Sequence, residues 1–172
     1  MKKIIFPMLV LPLMALCFSM TLNAQSSQQD LDQVELMKQF IGTWTTETGV
    51  DSTALWEIIP SDKGYVSNVY YQAKGVTYNT GKGIMGFTWE YQMVNMYTLW
   101  QDGYLSREMG KFVSDKKITF ERYNADHSHV MGSMEINFLT PDNFINIWKW
   151  RGMKDTWDDA EVSEFNLTRV KK

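Results

Sequence analysis

Ten short runs rich in β-branched and aromatic residues follow one another along this chain, and no helical stretch long enough for a parallel crossover separates them. They span residues 43–48, 54–59, 65–74, 83–90, 93–100, 105–112, 117–123, 130–139, 144–150 and 162–169. Turn chemistry sits between them: Ser61-Asp62-Lys63-Gly64, Gln101-Asp102-Gly103, Ser114-Asp115-Lys116 and Pro141-Asp142-Asn143 each supply a Gly, Asn, Asp or Pro suited to a tight hairpin. Connections this short join antiparallel neighbours in up-and-down order. The predicted fold is all-β, an antiparallel barrel of about ten strands. A short helix precedes it, because Leu31, Val34, Met37 and Phe40 recur near helical spacing.

The first 24 residues stand apart. Lys2 and Lys3 precede an apolar run from Ile4 to Leu16, and the segment closes on Leu22-Asn23-Ala24, the pattern of a secretory signal peptide cleaved after a small residue. Pro7 and Pro12 interrupt the run, which is short of the roughly 20 apolar residues of a spanning helix. Cys17 follows Leu16 rather than a small residue, which argues against a lipidated N-terminus. The expected organisation is a leader over 1–24, a polar N-terminus and short helix over 25–41, and one barrel domain over 42–172. The protein is expected to be exported, to the periplasm or beyond, with no membrane-spanning segment after cleavage.

Removal of the leader takes Cys17 and two lysines with it. No cysteine remains for disulfides, nucleophilic catalysis or metal ligation, and 15 Lys+Arg stand against 20 Asp+Glu. With a net charge of −5 and no basic run, nucleic acid is not an expected partner. All seven Trp and all eight Tyr lie beyond residue 24. Planar side chains in that number either fill a barrel or line a pocket inside it.

Strand alternation sorts these residues by face. Phe144, Asn146, Trp148 and Trp150 share one face, as do Phe165, Leu167 and Arg169. A polar residue set in an apolar face either holds a ligand's polar end inside the barrel or points outward to solvent, which singles out Asn68 beside Tyr70, Asn146 beside Trp148, and Arg107 between Leu105 and Met109, with Tyr97 as a further candidate. His127 and His129, two apart, could share a transition metal. Asn124-Ala125-Asp126 reads as a turn, so a solvated hairpin tip is the simpler account. The acids Asp155, Asp158, Asp159 and Glu161 lack the spacing of a calcium loop, and Glu121 with Glu135 could form a carboxylate pair of the kind glycoside hydrolysis uses. Gly81-Lys82-Gly83 lacks the spacing of a phosphate loop, and no cofactor motif is present.

Gly42-Thr43-Trp44, preceded by Phe40, resembles the Gly-x-Trp signature of the calycins, the superfamily of lipocalins and fatty-acid-binding proteins. Leu167-Thr168-Arg169 is similar to their closing strand, where an arginine packs on the signature tryptophan. The resemblance implies that Trp44 and Arg169 take those structural roles when the first and last strands pair. Met85-Gly86-Phe87, the run Tyr97 to Gly103, Gly110-Lys111-Phe112 and Asp115 to Thr119 resemble an uncharacterised bacterial family of secreted calycin-like proteins. The function expected on these grounds is binding of a small, largely apolar or aromatic-faced ligand within the barrel. Two alternatives stay open: an enzyme on the same scaffold, such as a lyase, isomerase or hydrolase acting on a sugar or lipid fragment, and a structural or partner-binding surface protein.

Overall fold

The computed structural model describes residues 31–124, 126–153 and 156–171. The leader and Cys17 lie outside the described residues. Helix α1 (Gln33–Met37) runs into a 3-10 turn (Lys38–Phe40). Ten strands follow: β1 (Gly42–Gly49), β2 (Ser52–Ser61), β3 (Gly64–Ala73), β4 (Val76–Thr88), β5 (Met93–Trp100), β6 (Leu105–Ser114), β7 (Lys117–Tyr123), β8 (Val130–Thr140), β9 (Asn143–Trp150) and β10 (Glu161–Arg169). Each pairs with its sequence neighbour in antiparallel fashion, and β10 returns to β1, so the sheet closes into a ten-stranded up-and-down barrel. The β1–β10 seam that closes it covers only part of the length of either strand.

Strand β4 starts at Val76, earlier than the sequence pattern indicates. Its first half, Val76 to Lys82, is rich in polar and small residues, and the β3–β4 register slips by one residue between Val69 and Tyr70, which leaves Thr80 as the extra residue of a bulge. Glycine at 81 has a steric cause. A Cβ there would sit 3.2 Å from the Trp100 ring, so the neighbouring indole lies across the space a side chain would need.

The helix buries most of the expected face, with Met37 and Phe40 in the core and Leu31 packed against it, but Val34 gives way to Gln33. Gln33, Met37 and Phe40 turn inward, while Val34 is 41% exposed, because the i, i+4, i+7 set that includes Gln33 is the one that fits the 3.6-residue period. The Asp32 carboxylate accepts from the Glu35 N–H at 2.9 Å and caps the first turn. Gln33 then docks the helix as a strand would dock. Its Nε2 donates to the Phe112 carbonyl at 3.1 Å, and its Oε1 accepts from the Phe112 N–H at 2.7 Å. Phe40 follows as a plug, with ring centroids 5.1 Å from Phe138, 5.7 Å from Trp56 and 6.2 Å from Phe112. With Trp44 and Phe144, 4.6 Å apart, these rings fill the helix end of the barrel.

Closure depends on one short seam. Trp44 pairs with Arg169 and Thr45 with Thr168, whereas the β1–β2 ladder is much longer. Trp44 is fully buried and donates Nε1–H to the Phe40 carbonyl at 2.7 Å. The Arg169 guanidinium lies 4.1 Å from its ring centroid, as the calycin resemblance implied. The same guanidinium donates to the carbonyls of Ile41, Gln39 (3.2 Å) and Pro141 (2.9 Å from Nη2, 3.0 Å from Nε), with Asp142 at 3.4 Å. One side chain therefore ties β10 to the 3-10 turn and to the β8–β9 hairpin. Gly42 permits this, since its φ is +130° and a Cβ would stand 2.5 Å from Arg169 Nη1.

Replacing Arg169 with Leu strips the carbonyls of their charged donor and removes the cation–π contact. The expected cost is about 3 kcal/mol, a fall in Tm of roughly 10 °C for a domain of this size, measured by thermal denaturation. Arg169→Lys keeps the charge but not the fork of donors, and is expected to recover less than half of the loss.

Candidate functional site

Inside the barrel, beyond the packed rings, the side chains stop short of filling the space. A chamber of about 230 Å³ is bounded by Thr46, Ala54, Trp56, Val69, Met96, Thr98, Trp100, Glu108, Arg122, Met134, Asn146, Trp148, Phe165 and Leu167. Nine of the ten strands contribute to this wall, and the alternation along each explains which residues do. Met96, Thr98 and Trp100 are inward on β5, and Asn146 and Trp148 on β9, with Tyr97 and Ile147 on the opposite face. A shallower cleft, lined by Thr80, Trp100, Gln101, Asp102, Tyr104 and Arg122, shares Trp100 and Arg122 with the chamber. Those two side chains stand at its mouth, away from the helix.

The chamber carries one buried ion pair. Glu108 is 1% exposed, and its Oε1 accepts from Arg122 Nε at 2.6 Å and Nη2 at 2.5 Å. Both donors meet the same oxygen instead of forming the usual two-oxygen fork. Glu108 Oε2 is left buried with no hydrogen-bond partner, and so is Asn146 Oδ1. Arg122 in turn lies over indoles, 4.4 Å from the Trp148 ring and 5.8 Å from the Trp150 ring, so the guanidinium is wall as well as counterion. Trp100 donates Nε1–H to the Ser106 hydroxyl at 3.0 Å, which fixes the indole at the mouth. Burial pushes the Glu108 carboxyl above its ordinary range, against the opposing pull of Arg122 and a smaller one from the Ser106 hydroxyl.

Of the residues expected to hold a ligand, the structure brings Asn146 and Trp148 to the chamber. Asn68, Tyr70, Tyr97 and Arg107 are not part of its wall. Asn68 donates to Glu57 Oε2 at 3.2 Å, across the β2–β3 ladder. Arg107 lies 5.3 Å from the Tyr97 ring centroid and meets His127 Nδ1 at 2.8 Å, so these three form an outer-face cluster. His129 contacts a different arginine, Arg151, at 3.0 Å, and the two imidazoles do not converge. Among the described residues no group of three or more His, Cys, Asp or Glu side chains is placed to hold a metal. Glu121 and Glu135 are likewise engaged separately: Glu121 accepts from the Tyr123 hydroxyl at 2.5 Å, and Glu135 binds Asn137 and Lys117. The hydrogen bond to Glu121 pushes the Tyr123 phenol up to about 12. Asp155 lies outside the described residues, and Asp158, Asp159 and Glu161 are exposed.

Glu108 and Arg122 are the residues that sequence reasoning missed. Counted from the hairpin pair Ser114–Lys117, Glu108 falls opposite Tyr123. The register shifts between Phe112 and Ser114, making Val113 a bulge, and Glu108 moves opposite Arg122. Opposite charges at inward positions of adjacent strands were the available signal, hidden by that slip. No protein-family model matches the chain, and no curated protein matches it. Fold and site together define a closed ten-stranded barrel, compatible with a calycin-like fold, that encloses an aromatic-walled chamber.

Arg122→Met removes the counterion and leaves Glu108 buried alone. The expected cost near neutral pH is about 3 kcal/mol. A carboxyl whose folded pKa is raised contributes stability at low pH and loses it as pH rises through that pKa, so the deficit of the variant should shrink on acidification. Denaturation midpoints measured between neutral and mildly acidic pH, relative to the parent, check both the size and the sign.

Proposed function

We propose that this protein binds a small, largely apolar molecule with an aromatic face inside the barrel. The observation that carries the reading is the unfilled chamber of about 230 Å³, walled by Trp56, Trp100 and Trp148 together with Met96, Met134 and Phe165. An apolar cavity of about 150 Å³ takes benzene. A chamber half as large again suits a compact two-ring molecule, which indoles and thioethers contact through dispersion and ring-face interactions. Burial contributes roughly 25 cal/mol per Å² of apolar surface, and a ligand this small binds in about the micromolar range.

Binding is favoured over catalysis by what surrounds the chamber's acid. Glu108 is tied to Arg122, and the wall offers no second carboxylate and no imidazole. The likeness to calycins supports the same reading, as an analogy of fold. The leader-like first 24 residues support export, to the periplasm or the medium. Among the described residues no helix is long and apolar enough to cross a membrane.

Naphthalene titrated into the mature protein should change its tryptophan emission saturably. Ala54→Phe, which fills the chamber from β2, should weaken binding at least tenfold while the protein still melts cooperatively. Unaltered emission in the parent, or full affinity in the filled variant, would remove the chamber from the function. Intact mass of protein from its source, with the N-terminus at Gln25, checks export, and native mass spectrometry of the same sample checks for a retained ligand.

A further inference from the structure

We infer that the chamber selects a neutral or cationic ligand bearing an N–H or O–H donor, and discriminates against carboxylates. The inference rests on the proposed binding function and concerns the chemistry of the bound molecule. Three observations carry it. First, the chamber's cation is already paired: two of the five N–H donors of Arg122, on Nε and Nη2, lie on Glu108 Oε1 at 2.6 and 2.5 Å, so an incoming anion meets a guanidinium whose charge the adjacent carboxylate offsets. Second, Glu108 Oε2 is buried without a hydrogen-bond partner in a residue that is 1% exposed, the nearby Ser106 hydroxyl donating instead to the Thr98 carbonyl at 3.4 Å. An ionised carboxylate oxygen only accepts, and a buried acceptor left unmatched is unfavourable until a donor reaches it. Third, Asn146, 8% exposed, adds an unpartnered Oδ1 on the same wall. Its amide can turn either face to a ligand, so it agrees with a donor while Glu108 requires one.

The polar atoms are few and the remaining wall is apolar, so the ligand described is a compact ring system with one donor at its edge. An N–H heterocycle meets that description. A fatty acid, whose polar end is an anion, does not.

Indole, benzofuran and benzoate have the same number of non-hydrogen atoms and differ in what they offer Glu108: a donor, none, and a negative charge. Calorimetric titration of the mature protein with each should give indole an affinity about tenfold above benzofuran, the ratio that a difference of 1.4 kcal/mol produces, with benzoate weakest. Glu108→Gln leaves an oxygen for Arg122 and turns an NH2 towards the chamber, so the indole advantage should fall to about one in that variant. The ratio in the parent decides the matter if the variant does not fold. Equal affinity for indole and benzofuran, or tightest binding by benzoate, overturns the donor assignment and leaves the chamber's binding function standing. No binding of any of the three, nor of naphthalene, overturns both.

Discussion

A two-residue ladder holds the barrel shut, and the contact that secures it is a guanidinium on an indole. Trp44 and Arg169 sit opposite each other where the first and last strands meet, and Arg169 also gathers carbonyls from the 3-10 turn and the β8–β9 hairpin. Without that seam the sheet would be open along one edge, exposing unpaired backbone and draining the interior of its enclosure. The packed rings and the chamber are consequences of closure. Phe40, held by the same turn that Arg169 grips, can plug one end only because the barrel is complete around it.

Much of this architecture is written at short range. Hairpin turns of Asp, Asn, Gly and Pro set strand order, and the flanking Gly42-Thr43-Trp44 and Leu167-Thr168-Arg169 mark the two strands that must meet. What short-range reading misses is long-range accommodation. Val34 looks as apolar as Met37, yet Gln33 takes the inward position because its amide satisfies both backbone groups of Phe112. The polar, glycine-bearing start of β4 lacks the pattern of a strand, and is strand because residues 76–79 and 81–82 pair with β3.

The candidate site was legible only where alternation runs unbroken. β9 keeps strict parity from Phe144 to Trp150, and Asn146 and Trp148 were found there. β6 inverts the usual pattern: its buried face carries Ser106, Glu108, Gly110 and Phe112, while the apolar Leu105 on the other face is 58% exposed. Arg107 therefore stands out in an apolar setting on the outer face, while Glu108 beside it in sequence is the acid that faces the chamber. A single bulged residue at Val113 was enough to hide its pairing with Arg122. Register errors of one residue exchange the inside and outside of a sheet, so site residues are harder to read than strands.

Sealing the helix end has a kinetic meaning. With Phe40, Trp44, Phe112, Phe138 and Phe144 packed there, a molecule entering the chamber under the proposed function would have to pass the opposite end, where Trp100 and Arg122 belong both to the outer cleft and to the inner wall. Trp100 is tethered to Ser106, and Arg122 is held by Glu108. How long a guest stays would then be governed by how often these two tethers loosen, which makes residence time a property of the doorway and affinity a property of the room behind it.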